Sequence, residues 1–476
     1  VNRQNIIILG GVLLVIISGS LALLSPAFNY DYPLRAMPIR TMVLLMMIAG
    51  GIYFALLFLI PALKSSARLM MFIFSTGVVL RLLMIPTTPV LEDDFYRYLW
   101  DGAMVAHGIN PYRYVPQDVQ EAIKQSDGVV PEEIRQLGIE AGYVLQRVNH
   151  PHLRTIYPPV AQLFFGISHL LKPWSLPAWR VILLLVDILN VLLLFKILRF
   201  VGVSPIFLLI YWWNPLLIKE IFNSGHMDIL IFPFLLGAIY LYLKNRWSGA
   251  TVLLSLAAGV KIWPVLFLPL FLKPLKIYPA KLIFTFLGVL LIFLILFLPV
   301  YFTGLDNTSG FSAYSEKWEM NDALFMAVVW GFSRVLPLFS IHPGFSQVAA
   351  RILMGLVLIV LISMLTIRIK SDRHIFFRYL LIVIAVLFFL SPTQFPWYYT
   401  WMIPLLVLVP RRSLLLLTVL MPVYYLRYYL AARGQASLFD NWIVWAEYLP
   451  VWGYILWESV RGIGSPKTHV STQPEK

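Results

Sequence analysis

Three adjacent acids, Glu92, Asp93 and Asp94, follow directly on a long apolar run, and Arg97 stands three residues beyond them. Two neighbouring carboxylates push one pKa up, and an arginine pulls them down, so such a pair can hold one ionised base. A base of that kind accepts the proton of a hydroxyl as the oxygen attacks a sugar carbon. Charges at the mouth of an apolar bundle are costly unless they are paired or used. The chain continues through Tyr98-Leu99-Trp100-Asp101-Gly102 to Gly108-Ile109-Asn110-Pro111-Tyr112.

Other polar residues stand out in the same way. Lys261 interrupts the apolar run 249–272 and is followed by Trp263-Pro264. A lysine binds phosphate as a point charge, although its long stem also allows it to reach an interface. His226 and Asp228 suit a phosphate or acceptor contact, or equally a polar turn in which Asp228 caps the next helix. Arg427 lies between two tyrosine pairs and reads as a phosphate ligand or an interfacial anchor. Tyr157 precedes a Pro-Pro pair, and Trp397 and Tyr398 belong to an aromatic cluster of the kind found at interfaces. Asp187 and Asn190, inside a span, read as interhelical glue.

The elements that must position these residues are helices. The chain has 476 residues, 60% hydrophobic and only 13% charged, with mean hydropathy +0.80. Long apolar blocks exclude a soluble protein and also a barrel, whose segments would be short and alternating. There are no cysteines, hence no disulfides and no thiol chemistry. The net charge of +14 does not imply nucleic acid, because the basic residues fall in short loops as cytoplasmic anchors do. Membrane lipids are the implied surroundings.

Charge bias gives a topology. Spans are expected at about 5–26, 41–61 and 69–86, which leaves the acids outside. The outer loop 87–155 carries short surface helices. It holds ten of the 23 acids: Glu92, Asp93, Asp94, Asp101, Asp118, Glu121, Asp127, Glu132, Glu133 and Glu140. The stretch 156–171 is expected not to cross fully, since crossing would put Lys196, Arg199, Lys244 and Arg246 outside. Spans follow at about 177–197, 204–219 and 227–244. Two half-helices are expected over 249–272, with Lys261 near the apex. Further spans lie at about 280–302, 346–368, 375–391, 398–410, 413–430 and 443–460, and 303–345 is a second outer loop. This amounts to an all-α polytopic membrane protein of about twelve transmembrane helices. Residues 1–463 form a single transmembrane domain, and 464–476 is a disordered polar tail. The notable polar residues then share the outer face, which scattered structural charges would not do.

The run Asp93-Asp94-Phe95-Tyr96-Arg97-Tyr98-Leu99-Trp100-Asp101-Gly102, then Gly108-Ile109-Asn110-Pro111-Tyr112, Ile156-Tyr157-Pro158-Pro159, Gly225-His226-Met227-Asp228, Val260-Lys261 and Phe395-Pro396-Trp397-Tyr398 resembles, in that order, the GT-C glycosyltransferases. Within them it is most similar to polyprenyl-phosphate-mannose-dependent mannosyltransferases and the related bacterial family 87. The resemblance covers about 85–430. It implies a GT-C-type bundle in a bacterial or archaeal plasma membrane, with the active site on the extracytoplasmic face and an outer-loop acid as general base. Matching by the Arg-Tyr or by the Asp-Gly selects different acids, with the preference falling on Asp93. Two more spans precede the acidic loop here than in many members.

The expected reaction moves mannose or another hexose from a polyprenyl-phosphate donor to a glycan or glycolipid acceptor, with inversion. Asp93 and Asp94 are the catalytic candidates. Lys261, Arg427 and His226 are assigned to the donor phosphate. Glu92, Arg97, Tyr157, Asp228, Trp397 and Tyr398 are assigned to acceptor or sugar. No cofactor is required; a divalent metal is possible beside the acids, but the sequence offers no dedicated ligand set. The alternatives are a flippase or transporter of lipid-linked saccharide and a polysaccharide ligase or polymerase. The first would normally show internal repeats, and none is visible.

Overall fold

The computed structural model describes residues 2–125, 130–304, 306–369 and 372–461, without the side chains of 315–317. The tail 464–476 lies outside the described residues. Among those described, every regular element is a helix, and the only bridge of β type joins Met320 to Thr393.

Among the described residues, eight helices are long and apolar enough to cross a membrane: Arg3–Phe28, Ile39–Ala62, Ala67–Met84, Leu176–Phe200, Pro279–Tyr301, Pro343–Arg368, Arg373–Leu390 and Arg412–Ala431. A ninth is formed if Pro205–Trp212 and Pro215–Asn223, bent by 51° at Trp213-Asn214, count as one broken span. Of the twelve expected spans, the four outside these eight are about 204–219, which is the bent pair, and about 227–244, 398–410 and 443–460, whose helices are shorter than 18 residues. The apolar stretches Pro159–Leu171, Met227–Leu243 and Trp247–Val260 form helices of 17 residues or fewer. A hydrocarbon core needs about 20 helical residues. The stretch 156–171 accordingly forms a 13-residue helix, about 20 Å long at 1.5 Å per residue.

The first half of the chain places the acids. Helices α1 (Arg3–Leu24), α2 (Ile39–Leu57) and α3 (Ala67–Met84) pack together. After α3 the chain leaves the bundle and enters α4 (Asp94–Ala106), then the small helices α5 (Pro116–Gln125), α6 (Glu132–Ala141) and α7 (Tyr143–Gln146). Helix α8 (Pro159–Leu171) returns against α4, and α9 (Leu176–Phe200) follows. The α4–α8 contact is close because Gly102 has no side chain: a Cβ there would stand 2.3 Å from the carbonyl oxygen of Phe165.

Buried charges hold the bundle. Arg81 on α3 bonds Asp187 on α9 at 2.6 Å, and both are fully buried. Asp187 also accepts from Tyr211, and Asn190 donates to the carbonyl of Ile229. Their sequence reading as interhelical glue agrees with these contacts. Outward, the helices Pro279–Tyr301 and Ser346–Arg368 present apolar side chains such as Leu291, Ile295, Leu356 and Ile359. Exposed apolar faces of this kind suit hydrocarbon rather than water.

Candidate active site

The acids are placed by a strap between α3 and α4. Arg180 on α9 donates to the carbonyls of Ile85 and Thr87 at 2.8 and 2.7 Å, and to that of Asn223. Asn223 in turn takes the N–H of Val90 at 2.9 Å and donates to Thr88 O. These bonds bring the strap alongside residues 219–228. Leu91 then adopts φ +60°, a left-handed conformation that costs energy for a branched residue and is typical of functional sites.

Asp93 precedes the first residue of α4, yet its carboxylate does not cap the helix. It accepts from Asn149 Nδ2 at 3.1 Å, and Asp94 accepts from the same nitrogen at 2.7 Å. Asp94 also accepts from Tyr157 Oη at 3.2 Å. Burial, followed by the Asp94 carboxylate, keeps Tyr157 a neutral phenol with its proton available for that bond. Burial, then the charges of Asp94 and Glu92, pushes the Asp93 carboxyl up to about 7.

Arg97 does not pair with the acids, contrary to the sequence expectation. It is buried and donates to the carbonyls of Asn149 and His150, both at 3.0 Å. Its service is to hold the turn that carries Asn149, where His150 has φ +47°.

His226 is buried and lies among carboxylates. Its Nδ1 stands 3.7 Å from Asp94 Oδ2, and its Nε2 stands 3.6 Å from Glu92 Oε2 and 3.8 Å from Glu220 Oε2. Among the described residues neither ring nitrogen has a hydrogen-bond partner. Tyr425 Oη bonds Glu92 Oε1 at 3.0 Å and Glu220 Oε1 at 2.9 Å, and Lys219 bonds the same hydroxyl. Glu92, Glu220 and His226 thus present three ligand atoms suitable for a metal, all within 4.8 Å of one another.

Aromatic rings continue the site. His226 stacks on Trp397 at 4.1 Å, and Trp397 meets Tyr398 edge-on. Trp397 and Tyr398 are buried, so they face protein and not a lipid interface. Lys261 lies 4.2 Å from the Tyr398 ring centre and donates to Asp228 Oδ1 at 2.6 Å. Trp401 Nε1 donates to the same oxygen. The expected break is present: the helix ends at Val260, Lys261 is extended, and a 3-10 turn begins at Trp263. Lys261 keeps 20% of its side chain exposed, while Asp228 is buried.

The structure therefore gathers Glu92, Asp93, Asp94, Tyr157, His226, Asp228, Lys261, Trp397 and Tyr398. Arg427 is engaged elsewhere, in a two-bond pair with Asp440 at 2.7 and 3.1 Å. Asn149, Glu220, Trp401 and Tyr425 were not singled out by sequence. A signal existed only for Glu220, which forms with Lys219 a charged pair inside the apolar stretch 205–223.

These residues stand in an all-helical, multi-pass membrane protein. Residues 154–274 match the family model of the MptA/B family, described as alpha-(1->6)-mannopyranosyltransferase, N-terminal domain. The match spans about a quarter of the chain; over that stretch the chain is similar to mannosyltransferases, in agreement with the motif resemblance, and the enzyme class this similarity indicates is that of a hexosyltransferase. The matched segment carries Tyr157, Glu220, His226, Asp228 and Lys261. No curated protein and no solved structure matches the chain.

Proposed function

We propose that the protein transfers mannose from a polyprenyl-phosphate donor to a hydroxyl of an extracytoplasmic glycan or glycolipid acceptor, with Asp94 as general base. The observation that carries this reading is the placement of Asp94. Its carboxylate stands between Tyr157 and His226 and within electrostatic reach of Lys261. One acid thus faces both an acceptor position and the cation suited to the donor phosphate. Asp93, whose carboxyl titrates at about 7, holds the neighbouring proton.

The step is a single displacement. The acceptor hydroxyl gives its proton to Asp94 while its oxygen bonds the anomeric carbon. The bond from that carbon to the phosphate oxygen breaks, and the electron pair leaves on the lipid phosphate. One displacement inverts, so an α-(1→6) product requires a β-linked donor. Lys261 stabilises the charge that develops on the leaving phosphate, moving away from Asp228 as the phosphate arrives. The buried rings of Trp397 and Tyr398 offer an apolar wall for the sugar.

Purified protein is mixed with polyprenyl-phosphate sugars and an acceptor, and the released lipid phosphate and new glycosidic bond are measured. Asp94→Asn is expected to lose about 100- to 10,000-fold in turnover while still binding donor. Asp93→Asn is expected to retain more activity. Movement of donor with no new bond would overturn the reading.

A further inference from the structure

We propose that Glu92, Glu220 and His226 form a binding site for one divalent transition-metal ion. Three elements converge to make it. Glu92 follows the left-handed Leu91; Glu220 sits in the π-type turn Lys219–Asn223; His226 follows Gly225, at φ +80°. Turns of the π type occur preferentially at functional sites.

The distances distinguish a metal site from a hydrogen-bonded cluster. His226 Nε2 is 3.6 Å from Glu92 Oε2 and 3.8 Å from Glu220 Oε2. Those separations are too long for N–H···O bonds, which fall near 2.7–3.2 Å. They suit ligands sharing an ion at about 2.0–2.2 Å from each. His226 is 1% exposed, and both its nitrogens lack a hydrogen-bond partner among the described residues. Leaving two such atoms buried and unmatched is costly.

The surroundings fit a ligand role. A metal-bound histidine ordinarily directs its second nitrogen at a carboxylate, and His226 Nδ1 faces Asp94 Oδ2 at 3.7 Å. On the far side Tyr425 Oη touches both glutamates. A phenol has one hydrogen and can donate to one of them at a time. Lys219, 3.4 Å from Glu220, supplies one positive charge against two buried carboxylates. Counting also Asp94, which faces His226 Nδ1, the remainder is two negative charges, and a divalent ion would balance it. One imidazole with two carboxylates favours Mn²⁺ or Zn²⁺ over Ca²⁺ or Mg²⁺. Three protein ligands also leave coordination positions open. Any use of the ion in transfer rests on the function proposed above; its binding does not.

The full-length protein in detergent is stripped with chelator and titrated with Mn²⁺, followed by paramagnetic resonance. Uptake of one ion per chain, with a ¹⁴N coupling that disappears in His226→Gln, is expected. Glu220→Gln should bind Mn²⁺ at least tenfold more weakly while eluting as a single folded species. Should either variant fail to fold, the wild-type spectrum decides alone: stoichiometric uptake with nitrogen coupling supports the site, and its absence overturns it. Uptake unchanged in the folded variants would overturn it also. Neither readout involves sugar transfer, so the result stands apart from the fate of the proposed reaction.

Discussion

His226 and Trp397 stack with their ring centres 4.1 Å apart and their planes at 16°. His226 belongs to the segment that matches the mannosyltransferase family, residues 154–274; Trp397 lies well beyond it. The contact makes one site out of parts far separated in sequence, and Asp94, before the matched segment, closes it from the other direction.

The protonation of Asp93 should be visible in stability. Its carboxyl titrates at about 7 in the folded protein, against about 4 in an unfolded chain. Between those values the folded state holds the proton more tightly, so this group's contribution to stability falls as pH rises from about 4 to about 7. The amide introduced by Asp93→Asn has no such proton to lose. Thermal unfolding in detergent should show Asp93→Asn gaining on the wild type from pH 5 to pH 8; a constant gap would contradict the assignment.

Gly102→Ala should damage the site from a distance. The added methyl would meet the Phe165 carbonyl at 2.3 Å, and a main-chain atom cannot swing aside. Helices α4 and α8 must separate, at a cost of about 1–3 kcal/mol. The same shift would move Asp94 on α4 away from Tyr157, just ahead of α8. Turnover should fall more than the loss of folded protein accounts for, as a comparison of specific activity per folded molecule would reveal.

The pair Arg81–Asp187 offers a test of the bundle alone. Removing one partner, as in Arg81→Met, leaves a buried charge unmatched and should cost about 3–5 kcal/mol. Replacing both, Arg81→Met with Asp187→Leu, should recover much of that loss in a thermal-stability measurement. If the double variant were no more stable than the single one, the ion pair would not be the source of the effect.

Lys261 and Arg427 should behave differently despite their shared charge. Lys261→Gln removes a cation next to Asp94 and the stacked rings, and is expected to raise KM for the lipid-phosphate donor at least tenfold. Arg427 is bound to Asp440 in a partly exposed pair, which contributes about 0–1 kcal/mol. Arg427→Gln should leave donor KM within about twofold. Steady-state kinetics over a donor series would separate the two.

Much of this arrangement was legible in the sequence where a residue conflicts with its neighbours. Three acids after an apolar run, or Lys261 within one, violate local burial rules, and both positions lie in the gathered site. The break at Lys261 was readable from the Pro264 that follows. What sequence could not give was pairing across the chain. Nothing near Asn149 marks it as the donor to both acids, 55 and 56 residues away. Arg97 looked like their partner because it is close in sequence, but one helical turn points it to the Asn149-His150 main chain. Span counting ran ahead of the helices at about 398–410, where hydropathy, which senses composition, could not reveal the breaks between Pro396–Tyr399, Thr400–Met402 and Ile403–Leu408.

The buried Arg97 clamps the turn bearing Asn149, and Asn149 grips both carboxylates. The orientation of the acids is therefore settled while the chain folds, before any substrate arrives. The ordering entropy falls on biosynthesis and not on each encounter, which is how a rigid catalyst keeps its barrier low through repeated cycles.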